Sequence, residues 1–540
     1  MFDLSLLQQM RLSWTPPVAD ALRTITKLSL VEDGPIELDE AIASYFPNLC
    51  GQKRLRLARL ESKRDPLRVG VVLSGGQASG GHNVIAGIFD ALKEFHPDSV
   101  LIGFLNGPAG IVSNSYREIT TDYLASYRNQ GGFDIIGSGR TKIQTDEQFE
   151  KALTTVRAHD LDGLIIIGGD DSNTNAAFLA EYFLAHGCKT CVNGVPKTID
   201  GDLRNEAIEL SFGFDTACKT YSECIGNIQR DAISAKKYYY FVKLMGRSAS
   251  HITLECALQT HPNMALIAEE AEARGWHLKD LVDQIVELVL ARKLAGKEYG
   301  VVLIPEGIIE FLPDMKSLIA ELNGLLAPSQ PHLQAIQQCA AAQEKISYIL
   351  RFLSGASLET MQLLPAEIQM QLLLDRDPHG NVQVSKIETE RLFIHMVSRA
   401  CSAQNLTFSG QPIFYGYEGR SCLPTNFDAA YCYNLGLLAA LVVQQKKTGY
   451  IVSFKNLTGK VPSWQPVVSP LVSMLHEEVR DGKKKAVIEK ALVDLQSAPF
   501  KQLQAERGSW RLDDCYRQPG PIQFWGPPEL VDTVPLILCK

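Results

Sequence analysis

From Leu67 onward the chain is organised by short, continuous apolar runs that stop at glycine. Arg68-Val69-Gly70-Val71-Val72-Leu73 ends at Ser74-Gly75-Gly76, Ser99 to Phe104 leads into Asn106-Gly107, and Leu164 to Ile167 into Gly168-Gly169-Asp170-Asp171. Helical stretches separate these runs, among them Asn83 to Lys93 and Ala176 to Ala185. Strands without polar alternation are covered on both faces; alternating with helices, they predict the parallel sheet of an α/β protein. The pattern lapses over a polar break near residues 201–235. It resumes with strands over Tyr238 to Met245 and Gly300 to Ile304. Between them Leu278, Leu281, Val282, Ile285, Leu288 and Val289 follow helical spacing, which predicts a long amphipathic helix and hence a second α/β unit.

Residues 312–405 are rich in Gln, Leu and Ala and contain no glycine-ended strand, so they read as an inserted helical subdomain. Ile413-Phe414-Tyr415 and Tyr450-Ile451-Val452 then supply further strands. Before the first run, Lys53, Arg54, Arg56, Arg59, Lys63 and Arg64, diluted by Glu61 and Asp65, predict a solvated helix. The expected division is an N-terminal extension (1–66), a first α/β domain (67–205 with about 408–470), a second (206–311), the helical insertion (312–405) and a C-terminal segment (471–540).

Composition narrows the partners. Sixty-one acids against 53 bases give a formal charge of −8, whereas a nucleic-acid surface calls for an excess of bases. A local basic pocket for a small anion is compatible with that balance. Ala429 to Val443, the best apolar run, is short for a membrane span, contains Asn434, and reads as a buried helix. Twelve scattered cysteines and an N-terminus without a basic n-region lead us to expect a cytoplasmic protein without a disulfide framework. The single Cys188-x-x-Cys191 runs into an apolar strand and reads as small buried hydrophobes. Asp375, Asp377, Gly380 and Asn381 resemble the start of a calcium loop, but Lys386 stands where a bidentate Glu is needed, so a plain turn is expected.

The chemistry sits at the strand ends, where open α/β sheets bind ligands. Ser74-Gly75-Gly76-Gln77-Ala78-Ser79-Gly80-Gly81 fits neither a dinucleotide fingerprint nor a P-loop, yet its glycines let backbone N–H groups approach an anion. The paired carboxylates Asp170 and Asp171 admit two readings, a divalent-cation site or a surface turn. In Pro196-Lys197-Thr198-Ile199-Asp200-Gly201-Asp202, an extended backbone places Thr198, Asp200 and Asp202 on one side, which suits general-base work on an alcohol. Lys197 then faces away unless the turn departs from extension or its long side chain wraps round. Arg140, Arg247 and Arg420 each stand beside glycine and suit phosphate groups.

Taken together, Gly-Gly-Asp-Asp-Ser (168–172), Pro-Lys-Thr-Ile-Asp-Gly-Asp (196–202), Met-Gly-Arg (245–247), Pro-Glu-Gly (305–307) and Tyr-Glu-Gly-Arg (417–420) resemble the phosphofructokinase family, in its motif order. The length and helical insertion are similar to those of its long, diphosphate-dependent branch. The resemblance implies two Rossmann-like α/β domains with the active site between them, and reversible phosphoryl transfer from diphosphate to the 1-hydroxyl of fructose 6-phosphate. It implies Asp200 as proton acceptor, Asp170 as the Mg²⁺ ligand, Gly76 as a diphosphate contact and Arg140 between the two substrates. To the sugar phosphate it assigns Arg247, Glu306, Tyr417 and Arg420, with Thr198, Ile199, Asp200, Met245, Gly246, Glu418 and Gly419. Lys237 and Tyr238 match positions that reach the sugar phosphate across a subunit interface, implying a homodimer or larger homo-oligomer. In the ATP-using branch position 171 is typically glycine and position 197 small, so Asp171 and Lys197 imply diphosphate as donor. An ATP-dependent member of the family and a non-catalytic regulatory subunit are the alternatives.

Overall fold

The computed structural model describes residues 4–59, 64–327, 330–376, 381–480, 483–520 and 534–539. In chain order its strands are β1 (Leu28–Pro35), β2 (Lys53–Arg59), β3 (Arg68–Leu73), β4 (Val100–Phe104), β5 (Tyr116–Ile119), β6 (Gly163–Gly168), β7 (Cys191–Pro196) and β8 (Tyr239–Leu244). They continue with β9 (Met264–Ala265), β10 (Gly300–Pro305), β11 (Gly410–Tyr415), β12 (Tyr450–Lys455), β13 (Gln465–Pro470), β14 (Leu475–Arg480) and β15 (Lys483–Ile488). The helices that matter to the site are α1 (Gly81–Phe95), α2 (Asp170–Ala185), α3 (Phe214–Ala235), α4 (Leu278–Leu294), α5 (Thr389–Ala403), α6 (Tyr417–Ser421) and α7 (Asn426–Gln444).

The chain forms two units. The first comprises Met1–Ala217, Tyr417–Ala491 and Ile522–Leu538, the second Cys218–Gly416, Leu492–Pro521 and Cys539–Lys540.

In the first unit the described residues form a nine-stranded sheet in the order β1-β2-β13-β12-β7-β6-β3-β4-β5. Its centre, β12-β7-β6-β3-β4, is parallel, and the outer strands pair antiparallel. Every residue of β6 and β7 is buried, as the unbroken apolar runs require. Because β3 has β4 on one side and β6 on the other, the strand order reverses at β3, the place where open α/β sheets form a crevice beyond the carboxyl ends of their strands. The helix α7 has the length and composition of a membrane span, but 94% of its most apolar window is buried inside the protein. It packs so closely on α1 that a Cβ added at Gly87 would lie 2.1 Å from the Tyr433 carbonyl oxygen, and one at Gly436 2.2 Å from that of Val84.

The second unit is built on a parallel sheet in the order β11-β8-β10-β9. The predicted amphipathic helix is α4, whose Leu278, Leu281, Ile285 and Leu288 are buried.

Several expectations are corrected. The basic run at 53–59 is the strand β2, not a helix: Leu55 turns inward and pairs with Val468 of β13, while Lys53 and Arg56 meet Glu32 and Asp33 on the neighbouring strand. Lys63 and Glu61 lie outside the described residues. The polar break contains α3, a 22-residue helix, and the two units divide within it rather than at 205. Residues 312–405 are helical but share one core with the second sheet, where Leu318, Leu322, Leu372, Leu392 and Phe393 join Phe241 and Ile304. The segment 471–540 is divided between the units. Asp377 and Gly380 lie outside the described residues, and Asp375 stands 3.6 Å from Lys386. All twelve cysteines are free, and burial pushes the Cys191 thiol up to about 12.

The contact between α1 and α7 leaves no room for a side chain. Gly87→Ala is expected to destabilise the protein by about 2–3 kcal/mol, read as a lowered Tm by calorimetry. Gly324→Ala, on the helix Pro313–Leu325 with open space around it, is expected to leave Tm unchanged or slightly raised.

Candidate active site

The loop after β3 is a cradle of backbone surrounded by cations. Ser74 extends the ladder with its N–H donating to the Ile167 carbonyl at 2.8 Å, and Gly75 N–H donates to the Gly139 carbonyl at 2.8 Å. Gly75 has φ +87°, a conformation that glycine adopts without strain. A Cβ at Gly76 would stand 2.8 Å from Arg420 Nη2 and 3.3 Å from Arg140 Nη2, and one at Gly75 3.5 Å from Lys197 Nζ. Lys197, 6% exposed, donates from Nζ to the Gly76 carbonyl at 2.7 Å. Burial pushes its ammonium down to about 8; Asp200 and Asp170 oppose the shift, and Arg420 and Arg140 add to it. Three side chains from distant parts of the sequence thus bring positive charge to two glycines, an arrangement that an anion relieves.

Carboxylates stand on the adjoining strand ends. Asp170 and Asp171 are the first two residues of α2, where the helix N-terminus favours negative charge. Asp171 is exposed, with Lys142 Nζ at 3.4 Å. Asp170 has Lys490 Nζ at 3.6 Å. Ser172, in the same turn, donates its hydroxyl to that of Ser74 at 2.8 Å and so couples α2 to the glycine loop.

The 198–202 segment is a bend rather than an extended strand. Asp200 N–H donates to Thr198 Oγ1 at 3.1 Å, and Gly201 reverses the chain at φ +73°. Strand alternation therefore does not place the side chains of Thr198, Asp200 and Asp202, whereas Lys197 is still on the ladder, its N–H donating to the Gly168 carbonyl at 2.9 Å. Ile199 is buried. Asp202 is buried too, and burial first, then the charge of Asp200, raises its carboxyl well above the usual carboxylate range.

Arg420, expected among the sugar-phosphate residues, lies on the short helix α6, with its guanidinium at Gly76 and 5.3 Å from the Tyr417 ring. Tyr417 is 70% exposed, Glu418 is exposed and Gly419 buried.

The second unit repeats the strand-end logic. Met245, Gly246 and Arg247 follow β8 and Glu306 follows β10, and the parallel register pairs Leu244 with Pro305. Glu306, 2% exposed, accepts from Gly246 N–H at 3.0 Å, while Arg247 is exposed. Lys237 and Tyr238 are not brought to this edge. They precede β8, about 20 Å away along the strand, with the Lys237 ammonium 4.9 Å from the Tyr238 ring.

Sequence reasoning missed Ser74 and Ser172, whose pairing needs β3 and β6 side by side, and Lys490, one of several lysines that read as solvated charge.

A family model described as phosphofructokinase matches residues 68–352, which takes in every strand-end motif except 417–420. The chain belongs to the phosphofructokinase family. It is 49% identical, over 98% of its own length and 96% of the other's, to the pyrophosphate–fructose 6-phosphate 1-phosphotransferase of Treponema pallidum. It is also 49% identical, over 96% of its length and 91% of the other's, to subunit beta 2 of the enzyme of that name from Arabidopsis thaliana. The phosphofructokinase fold is also that of the crystal structure of pyrophosphate-dependent phosphofructokinase from Marinobacter aquaeolei, with a TM-score of 0.54 at 15% identity, covering 83% of this chain and 93% of that one.

The position of Lys197 gives this family member a pH signature. Its ammonium is charged below about 8 and neutral above, so in calorimetric titrations the affinity for inorganic diphosphate is expected to fall as pH rises through and beyond that value. Lys197→Arg, charged throughout, is expected to flatten that fall.

Proposed function

We propose that the chain transfers a phosphoryl group from diphosphate to the 1-hydroxyl of fructose 6-phosphate, giving fructose 1,6-bisphosphate and phosphate. One observation carries the choice of donor. Buried Lys197 closes on the Gly76 carbonyl at 2.7 Å, putting an ammonium where a short diphosphate needs charge, and Asp171 precedes Ser172, whose hydroxyl bonds Ser74 of the same loop. A carboxylate there repels the longer phosphate chain of ATP.

Phosphoryl transfer has a loose transition state, so the residues chiefly position the reactants and neutralise charge. Arg140, Arg420 and Lys197 hold the diphosphate over Gly75-Gly76. The bond from the bridging oxygen to the transferred phosphorus breaks as the bond from the sugar O1 forms. Asp200 accepts the O1 proton late in that motion, because carboxylates are too weak as bases to remove it from a free hydroxyl. Arg247 and Glu306 serve the sugar phosphate. One phosphoanhydride is exchanged for one phosphate ester, so the reaction is reversible.

Asp170 fits a magnesium ion. An ammonium already stands 3.6 Å from its carboxylate, so the position is one that calls for a cation. No group of three His, Cys, Asp or Glu suited to a metal occurs among the described residues, and Mg²⁺ is commonly held by one or two carboxylates together with substrate phosphates. When bound, the ion would neutralise diphosphate oxygens beside Lys197.

With fructose 6-phosphate and Mg²⁺, purified protein is expected to turn over diphosphate and not ATP; activity with ATP alone would sink this reading. Asp200→Asn is expected to lower kcat by about 10³-fold with little change in KM for the sugar.

We also infer a homo-oligomer in which Lys237 and Tyr238 serve the partner's sugar-phosphate site. Lys237→Ala would then raise KM for fructose 6-phosphate. Refolding it together with Asp200→Asn should, at low fructose 6-phosphate, give more activity than the two variants supply separately, since one site of each hybrid dimer is intact. A mixture no more active than the sum of its parts would refute the shared site.

A further inference from the structure

Lys490 follows β15 on a connection fixed at both ends. Ile488 N–H donates to Thr174 Oγ1 of α2 at 3.2 Å, and Ala491 N–H donates to the Asp202 carbonyl at 2.7 Å. Between these clips the Lys490 ammonium stands 3.6 Å from Asp170 Oδ2 and 3.9 Å from Asp202 Oδ2. Both separations exceed the 2.7–2.9 Å or so of a charge-assisted hydrogen bond. The ammonium therefore lies between two carboxylates without closing on either. The side chain of Asp202 is 7% exposed and that of Asp170 24%, so water screens the pair incompletely and a nearby cation favours its charged form. The Lys490 side chain itself is one-third exposed, on a flexible four-carbon stem that can swing without moving its clipped backbone.

We propose that Lys490 is a tethered placeholder for the divalent cation. Its ammonium occupies the Asp170–Asp202 pair in the substrate-free enzyme, gives up Asp170 when the metal arrives with diphosphate, and then lends its charge to the diphosphate. Lys490 is a positioning residue in this scheme: it competes with the metal for a carboxylate and keeps the pair from repelling while the site is empty. This builds on the assignment of Asp170 to the cation.

The test uses Mn²⁺ as probe, with free Mn²⁺ read by electron paramagnetic resonance during titration of the full-length protein without substrates. Removing a positive charge about 4 Å from the carboxylate is expected to tighten Mn²⁺ binding about tenfold in Lys490→Met, with Lys490→Gln behaving alike should the first variant fold poorly. Lys490→Arg, which keeps the charge, is expected to stay near the parent. In steady-state assays Lys490→Met is expected to raise KM for diphosphate. Mn²⁺ affinity unchanged or weakened in both neutral variants would overturn the placeholder role. If Asp170→Asn instead binds Mn²⁺ as tightly as the parent, it is the cation assignment that fails, whatever Lys490 does.

Discussion

Two guanidiniums and a buried ammonium gathered around a pair of glycines are unfavourable unless negative charge answers them. That constraint explains much of the surrounding architecture. The glycines remove the side chains that would otherwise separate the charges from the backbone, and a Cβ at Gly76 would collide with Arg420. Lys197 is still on the ladder after β7, its N–H donating to the Gly168 carbonyl at 2.9 Å, and from there its amine reaches the Gly76 carbonyl. Asp200 beyond β7 and Asp170 at the start of α2 supply part of the answering charge at Lys197. Positive charge gathered on bare backbone in this way suits an anion.

The sheet makes the gathering possible. Adjacent parallel strands β3, β6 and β7 end at one level, so three loops far apart in sequence become neighbours without any insertion to steer them. The reversal of strand order at β3 opens the space above them. Apolar strands thus set the spacing of the polar groups at their ends. In the second unit the same logic places Glu306 against the Gly246 amide.

Legibility in the sequence followed the strength of local signals. The buried strands and the loops after them could be read directly, because an unbroken apolar run that ends at glycine has few other meanings. The strand β2 was misread because its bases were weighed as a charged cluster, while Leu55 and Leu57 alternate with them at the two-residue period of a strand that pairs with β1 and β13. The helix α3 escaped because Asp215, Lys219, Ser222, Glu223 and Asn227 dilute its apolar face. Lys490 could not have been found, since its role depends on a tertiary clip to Thr174 and Asp202. The family motifs set Arg420 with the sugar phosphate and gave no sign that its guanidinium lies at Gly76 of the glycine loop.

The order in which strands enter the first sheet has a consequence for biosynthesis. Its parallel centre lacks β12 until residue 455 has been made, and β13, which joins β12 to the β1–β2 hairpin, comes later still. A nascent chain therefore carries β7 with an open hydrogen-bonding edge through the synthesis of more than two hundred residues. In that interval the strands of the second sheet, β8 to β11, all emerge and can pair. The exposed edge of β7 is an apolar template for pairing between chains. Its late closure by β12 makes the period before residue 455 the time when this protein is most prone to associate with other copies of itself.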